Sequence, residues 1–166
     1  LGKLTASDGA AEKNFGRAVG ISGNIITVGS ASDVIGAITF LAPAVYLFDA
    51  TTRAQLRRIS VDFTTGSRLA IDDGLILAGQ AQGALSGGVV SVLDANSGLV
   101  VRGIAPLLGP ASNDFGLDLR LAGSTALIAD LGQVFVIRGL TRELPVTTVA
   151  KVGDVQVGSG SRLLKT

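Results

Sequence analysis

The sequence predicts an all-β fold built from repeated units of four short antiparallel strands, and three observations predict it. Phe15-Gly16, Thr65-Gly66 and Phe115-Gly116 fall about fifty residues apart, each opening the same apolar pattern; such a period marks units that bury their apolar faces against one another. Apolar residues recur two apart after each of these pairs, and a glycine-bearing turn follows at once, which is strand and hairpin chemistry. No segment has a helical period.

The first strands span residues 17–21, 67–71 and 117–121, with Val19 and Ile21, Leu69 and Ile71, and Leu119 and Leu121 at alternate positions. Tight turns at 22–24, 72–74 and 122–124 each supply a glycine able to take positive φ. Second strands return over 25–29, 75–79 and 125–129. A longer connection leads to third strands at 45–49, 89–94 and 133–138, rich in the Val, Leu, Phe and Ile that fit a pleated sheet. Fourth strands are expected at 55–61, 99–104 and 143–149. Four antiparallel strands per unit is the construction of a β-propeller blade.

The whole chain, 1–166, therefore reads as one domain of about three blades, at approximately 8–61, 62–106 and 107–150, with 151–166 the start of a further repeat or a tail. Residues 3–6 align with 58–61 as the outer strand of a preceding blade, and 160–164 echo 66–70 as the first strand of a following one. Three blades are fewer than the roughly four to eight that close a propeller. The expectation is a partial propeller, or one completed by assembly.

Composition narrows the function. Fourteen Lys and Arg against thirteen Asp and Glu leave a net charge of +1, too little field to draw nucleic acid. His, Cys, Met and Trp are all absent, which removes disulfides, thiolate chemistry, Cys/His zinc sites and histidine acid–base catalysis. No enzyme and no cofactor are expected. Residues 34–48 are uncharged, but fifteen residues containing Gly36 and Pro43 fall short of the roughly 20 needed to span a bilayer, so no membrane span is expected. The chain begins at Leu1 without an initiator Met, as a processed product or an excerpt would.

Residues 3–16 (KLTASDGAAEKNFG), 19–29 (VGISGNIITVG) and 45–52 (VYLFDATT) resemble the bacterial FG-GAP repeat proteins, with a second match at 113–116 (NDFG) and a degenerate one where Thr65 replaces the Phe. The resemblance implies propeller blades in an exported or cell-surface protein that binds other macromolecules, as in the integrin α-subunit heads. Calcium-binding members carry acidic loops between strands. Here the corresponding loops, 30–40, 80–86 and 130–132, hold no more than one acid each, too few carboxylates to replace the hydration shell of Ca²⁺. No metal is expected.

Candidate sites are few. Asp72-Asp73 is the sole acidic pair, and neighbours at a strand end point to opposite faces, so it reads as a turn filler. Gly158-Ser159-Gly160 is similar to a dinucleotide loop, but Leu163 stands where a third glycine belongs. Arg53, Arg57 and Arg58 read as a solvated strand edge or a docking patch. Phe15 and Phe115 read as packing between blades, and Tyr46 as core or half-buried. The apolar loop at 34–43 carries Val34, Ile35, Ile38, Phe40 and Leu41; a patch of this kind either folds back on its blade or forms an interface.

The expected function is a non-catalytic structural or interaction module, extracellular or at the cell surface. It would work in assembly or adhesion, through self-association as a ring or filament or through another surface protein. The alternative is a carbohydrate- or ligand-binding, lectin-like propeller, weakened by an aromatic content of 4%.

Overall fold

The structure, a computed structural model, describes residues 2–8, 14–30, 43–61, 68–79, 88–105, 115–130 and 132–143, and the short strands 156–157 and 161–162. None of the described residues is helical. The first sheet holds β1 (Ala18–Ser22), β2 (Ile25–Ser30), β3 (Ala44–Asp49) and β4 (Gln55–Ser60) in chain order, and the second repeats it with β5 (Arg68–Asp72), β6 (Leu75–Gly79), β7 (Val90–Asp94) and β8 (Val100–Ile104). The third has three strands among the described residues, β9 (Leu119–Ala122), β10 (Thr125–Asp130) and β11 (Gln133–Ile137). Every pairing is antiparallel. All but one residue of the strand expected at 143–149 lies outside the described residues.

The FG pair has a visible mechanical role. Gly16 and Gly116 adopt φ of 94° and 92°, and their amides donate to the carbonyls of Gly29 and Ala129 at 3.1 and 2.9 Å. A side chain is strained at such φ, so the glycine lets the chain hook onto the end of the second strand before the first begins. The same hook delays the first strand. The Arg17 amide goes to Asn14 O and the Leu117 amide to Ala129 O, so β1 and β9 start later than 17 and 117. Gly88 serves a different need, because a Cβ there would stand 2.1 Å from the Phe115 carbonyl oxygen.

The turns after the third strands are built alike. Asp49 accepts the Thr51 and Thr52 amides at 2.9 and 2.6 Å, and Asp94 accepts the Asn96 and Ser97 amides at 3.2 and 3.1 Å. Each turn is followed by a register shift in the ladder. It needs a residue at positive φ, filled by Gly98 in the second blade and by Arg53, at 65°, in the first.

The sheets stack face to face with their innermost strands side by side, β1 against β5 and β5 against β9. Val45, Leu47, Ile59 and Val61 of the first blade meet Ile71, Ile76, Ala78 and Leu93 of the second. Leu75, Leu77, Val90 and Val92 of the second meet Phe115, Leu119, Ala126 and Ile128 of the third. Alternate residues of one strand thus serve opposite interfaces, which is the two-residue period of the sequence seen as packing.

One terminal expectation is revised. Residues 3–6 form no strand. Leu4 and Ala6 pack on Val28, Tyr46 and Phe48 instead, much as Ile59 and Val61 pack on the second blade. At the other end β12 (Gln156–Val157) pairs antiparallel with β13 (Ser161–Arg162).

Candidate interaction faces

Each blade has a leading face toward the blade before it and a trailing face toward the one after, and the repeat register identifies equivalent positions on both. On the trailing side Thr27 pairs with Leu47 and Gly29 with Val45, Leu77 with Val92 and Gly79 with Val90, and Leu127 with Val136 and Ala129 with Val134. Paired residues share a face. In the first two blades these side chains are sealed: Val45, Val90 and Val92 are 0% exposed and Leu47 is 2%. In the third, Val134 is 61% exposed, Val136 52% and Leu127 41%.

The leading face of the first blade is its counterpart. Val19 pairs with Val28 and Ile21 with Ile26, which places Val19 and Ile21 where Leu69 and Ile71, or Leu119 and Leu121, stand in later blades. Ile71 and Leu119 are buried against the preceding blade, whereas Val19 is 66% and Ile21 64% exposed. The outer part of this face is covered by its own chain. Phe15 stacks edge-on against Tyr46 and Phe48, with centroids 5.3 and 6.0 Å away. Asp8 accepts from the Tyr46 hydroxyl at 3.0 Å and from Arg58 Nε at 3.0 Å, while Ser7 exchanges hydrogen bonds with Gln55.

Polar groups stitch the blades together along their edges. Arg57 Nη2 donates to Asn96 O of the second blade, and Arg68 Nε to Leu117 O of the third, both at 2.8 Å. Asp72 reaches furthest, taking the Ser22 hydroxyl of the first blade at 3.0 Å on Oδ1 and the Gly123 amide of the third at 2.7 Å on Oδ2. Those donors, the Gly123 amide foremost and then Ser22, hold its carboxyl below the usual carboxylate range. Asp49 is lowered by the Thr52 amide and hydroxyl. At Asp94 burial pushes upward, but the Ser97 hydroxyl and amide outweigh it and the carboxyl is lowered. Carboxylates held ionised in this way are weak bases and poor proton donors near neutral pH.

The candidates from sequence fall out as follows. Phe115 is buried between the second and third blades, edge-on to Phe135 at 5.2 Å, and Tyr46 is buried. Arg57 and Arg58 are not a free basic patch, since they bind Asn96 O and Asp8. Asp72 is more than a turn filler. The apolar loop residues Val34, Ile35, Ile38, Phe40 and Leu41 lie outside the described residues, as do Gly158 and Gly160. Among the described residues no group of three or more acids could hold a metal ion, and no helix is long and apolar enough to cross a membrane. Sequence reasoning placed Val19, Ile21, Leu127, Val134 and Val136 in strands but had no signal for their exposure. That depends on which blades have neighbours.

Comparison with known proteins agrees with this architecture. The crystal structure of the computationally designed Ika4 protein aligns with a TM-score of 0.55 at 17% identity, over 97% of this chain and 82% of that one. The crystal structure of the designed Ika8 protein aligns at 0.51 and 20% identity, over 78% of this chain and 35% of that one. Hydrazine synthase of Kuenenia stuttgartiensis aligns at 0.55 and 16% identity, over 82% of this chain and 36% of that one. The chain thus spans about a third of the length of the last two. Such identities speak to fold alone. No curated protein matches the sequence. Residues 1–48 match the FG-GAP repeat model. The chain is thus similar to the FG-GAP repeat over residues 1–48, and its sheets are of the propeller type.

Proposed function

We propose that the chain is a non-catalytic interaction module of an exported or cell-surface protein, serving assembly or adhesion through the faces of its blades. The observation that carries this reading is the trailing face of the third blade, where Leu127, Val134 and Val136 stand exposed at positions sealed in the other two blades. Aliphatic side chains in contiguous register gain about 25 cal/mol for each Å² removed from water, and a surface of this kind is a docking surface. The saturated carboxylates Asp49, Asp72 and Asp94 support a role other than catalysis. The carbohydrate-binding alternative draws no support from Tyr46, Phe48 and Phe115, which are buried.

The test is made in source cells with the tagged full chain and the double substitution Val134→Asp, Val136→Asp. Protease added to intact cells is expected to remove the tag. The wild-type protein is expected to migrate in a complex larger than its own 16.7 kDa, and the variant to leave that complex. A protected tag, with both forms migrating as the lone chain, would refute the proposal.

A further inference from the structure

The second blade holds its two neighbours through groups that respond differently to acid. At the turn end of the inner strands the Asp72 carboxylate lies between Ser22 Oγ of the first blade, 3.0 Å from Oδ1, and the Gly123 amide of the third, 2.7 Å from Oδ2. Its own turn adds the Asp73 amide, which donates to Oδ1 at 3.0 Å. A hydroxyl can donate or accept, whereas an amide N–H can only donate. A proton carried on Oδ1 is therefore passed into a hydrogen bond to Ser22 Oγ once that hydroxyl turns round, and the link to the first blade persists with its direction reversed. The Gly123 amide has no such exchange. Its acceptor changes from a carboxylate to the carbonyl oxygen of a neutral acid, and a charge-assisted bond becomes an ordinary one, roughly half as strong.

A second tie divides the two junctions in the same way. Arg57 of the first blade reaches the second through the Asn96 carbonyl, and Arg68 of the second reaches the third through the Leu117 carbonyl; neither acceptor takes up a proton in mild acid. The third blade adds a tie that depends on a carboxylate. Arg142 lies against the second blade at Gly74, where a Cβ would stand 3.0 Å from its Nη1. At Asp94 burial pushes the carboxyl up, the Ser97 hydroxyl and amide outweigh it, and the Arg142 charge adds to the lowering. That attraction ends when Asp94 is neutral. The charged groups beside Asp72 are Asp73, next in its turn, and Arg142 at Gly74; those beside Asp94 are Arg142 and the Arg57 bound at Asn96.

We propose that Asp72 and Asp94 make the junction between the second and third blades an acid-sensitive hinge, which opens on protonation while the first blade stays seated. Opening uncovers Leu75, Leu77, Val90 and Val92 on one side and Phe115 and Leu119 on the other, an apolar surface sealed at neutral pH. Both carboxyls are held below the ordinary value. Their stabilisation is therefore present above the unfolded value of about 4 and is lost as pH falls through the folded values. The hinge works below about pH 4.

The chain has no cysteine, so a single introduced thiol reports each junction. Val45 and Val90 are repeat equivalents, paired with Gly29 and Gly79; both are 0% exposed, the first between blades one and two and the second between blades two and three. Val45→Cys and Val90→Cys are each labelled with a pyridyl disulfide, which reacts in acid as well as at neutral pH, and each rate is divided by that of the same chain unfolded in urea at the same pH. Labelling of a sealed thiol then follows the opening equilibrium. From about pH 6 to about pH 2.5 the quotient is expected to rise about fivefold in Val90→Cys and less than about twofold in Val45→Cys. Asp72→Asn, added to Val90→Cys, fixes the neutral pattern, with its amide group donating to Ser22 and its oxygen accepting from Gly123. Labelling should then be faster at pH 6, and the further rise in acid should shrink to about twofold, the share left to Asp94. Circular dichroism at each pH shows whether the blades persist, and should either cysteine variant not fold, Leu47→Cys and Val92→Cys, equivalent and sealed at the same two junctions, replace the pair. An equal rise in both variants, no rise in Val90→Cys, a larger rise in Val45→Cys, or a rise that Asp72→Asn leaves unchanged would each overturn the one-sided hinge.

Discussion

Replacing Phe115 by alanine tests whether the FG pair holds blades together. Its ring is 1% exposed and stacks edge-on to Phe135 at 5.2 Å between the second and third blades. Phenylalanine-to-alanine changes in a core cost about 3–5 kcal/mol, less where the surroundings collapse into the space. Collapse is resisted here from both sides: Gly88 lies against the Phe115 carbonyl, and the Gly116 amide is tied to Ala129 O. The upper half of the range applies, about 4 kcal/mol, of which roughly 0.5–1.5 is the aromatic pair. In a chain of this size that lowers Tm by about 8–16 °C. Phe15, the equivalent residue, is half-buried at the free end of the stack, so its alanine variant should lose about half as much. Urea denaturation and calorimetry at one protein concentration measure both, since association shifts apparent stability. A loss below about 1.5 kcal/mol at Phe115, or an equal loss at Phe15, would refute this account of the motif.

Four further outcomes are expected. Thr27 Oγ1 is buried without a hydrogen-bond partner, and its equivalent in the second blade is Leu77, so Thr27→Val should stabilise by about 1 kcal/mol in urea; a loss of stability would show that the hydroxyl is satisfied. Arg53, held at positive φ where the second blade has Gly98, should gain about 0.5–1 kcal/mol on replacement by glycine, and a lower Tm would contradict it. Asp72 is lowered by its donors from the first and third blades; its stabilisation is therefore present above about pH 4 and lost as pH falls through the folded value. The Tm gap between wild type and Asp72→Asn should narrow as pH falls below about 4, and a gap of constant size would exclude the linkage. Melts with EGTA and with millimolar Ca²⁺ should coincide, because the loops at 30–40, 80–86 and 130–132 hold at most one acid each; an upward shift with calcium would overturn that expectation.

The strands and turns were legible because their causes are local. Alternation of Leu75 and Leu77 against Ile76 and Ala78, and the glycine turn at Gly74, are set by neighbours a few residues away, and the observed ends differ by one or two residues. The delay of β1 and β9 was not legible, since it follows from where the Arg17 and Leu117 amides bond. The faces were harder. Leu77 and Leu127 occupy one repeat position, yet the first is sealed and the second exposed. That difference belongs to the stack and not to either strand. Asp72 was invisible for a related reason, because its partners Ser22 and Gly123 lie 50 and 51 residues away in sequence.

Asp72 also makes the order of the blades a property of the molecule. Its repeat equivalents are Ser22 and Ala122, so a hydroxyl precedes the acid and a methyl group follows it. A tandem duplication of the middle blade would set an aspartate where Ser22 now donates, bringing two carboxylates to within about hydrogen-bonding distance with no proton between them. Like charges so placed repel, and one of them would have to take up a proton well above its ordinary range. The middle blade therefore cannot follow itself. A lineage growing such chains by copying blades would have to change this residue with every copy, and a scheme for recombining them must keep Asp72 behind a donor.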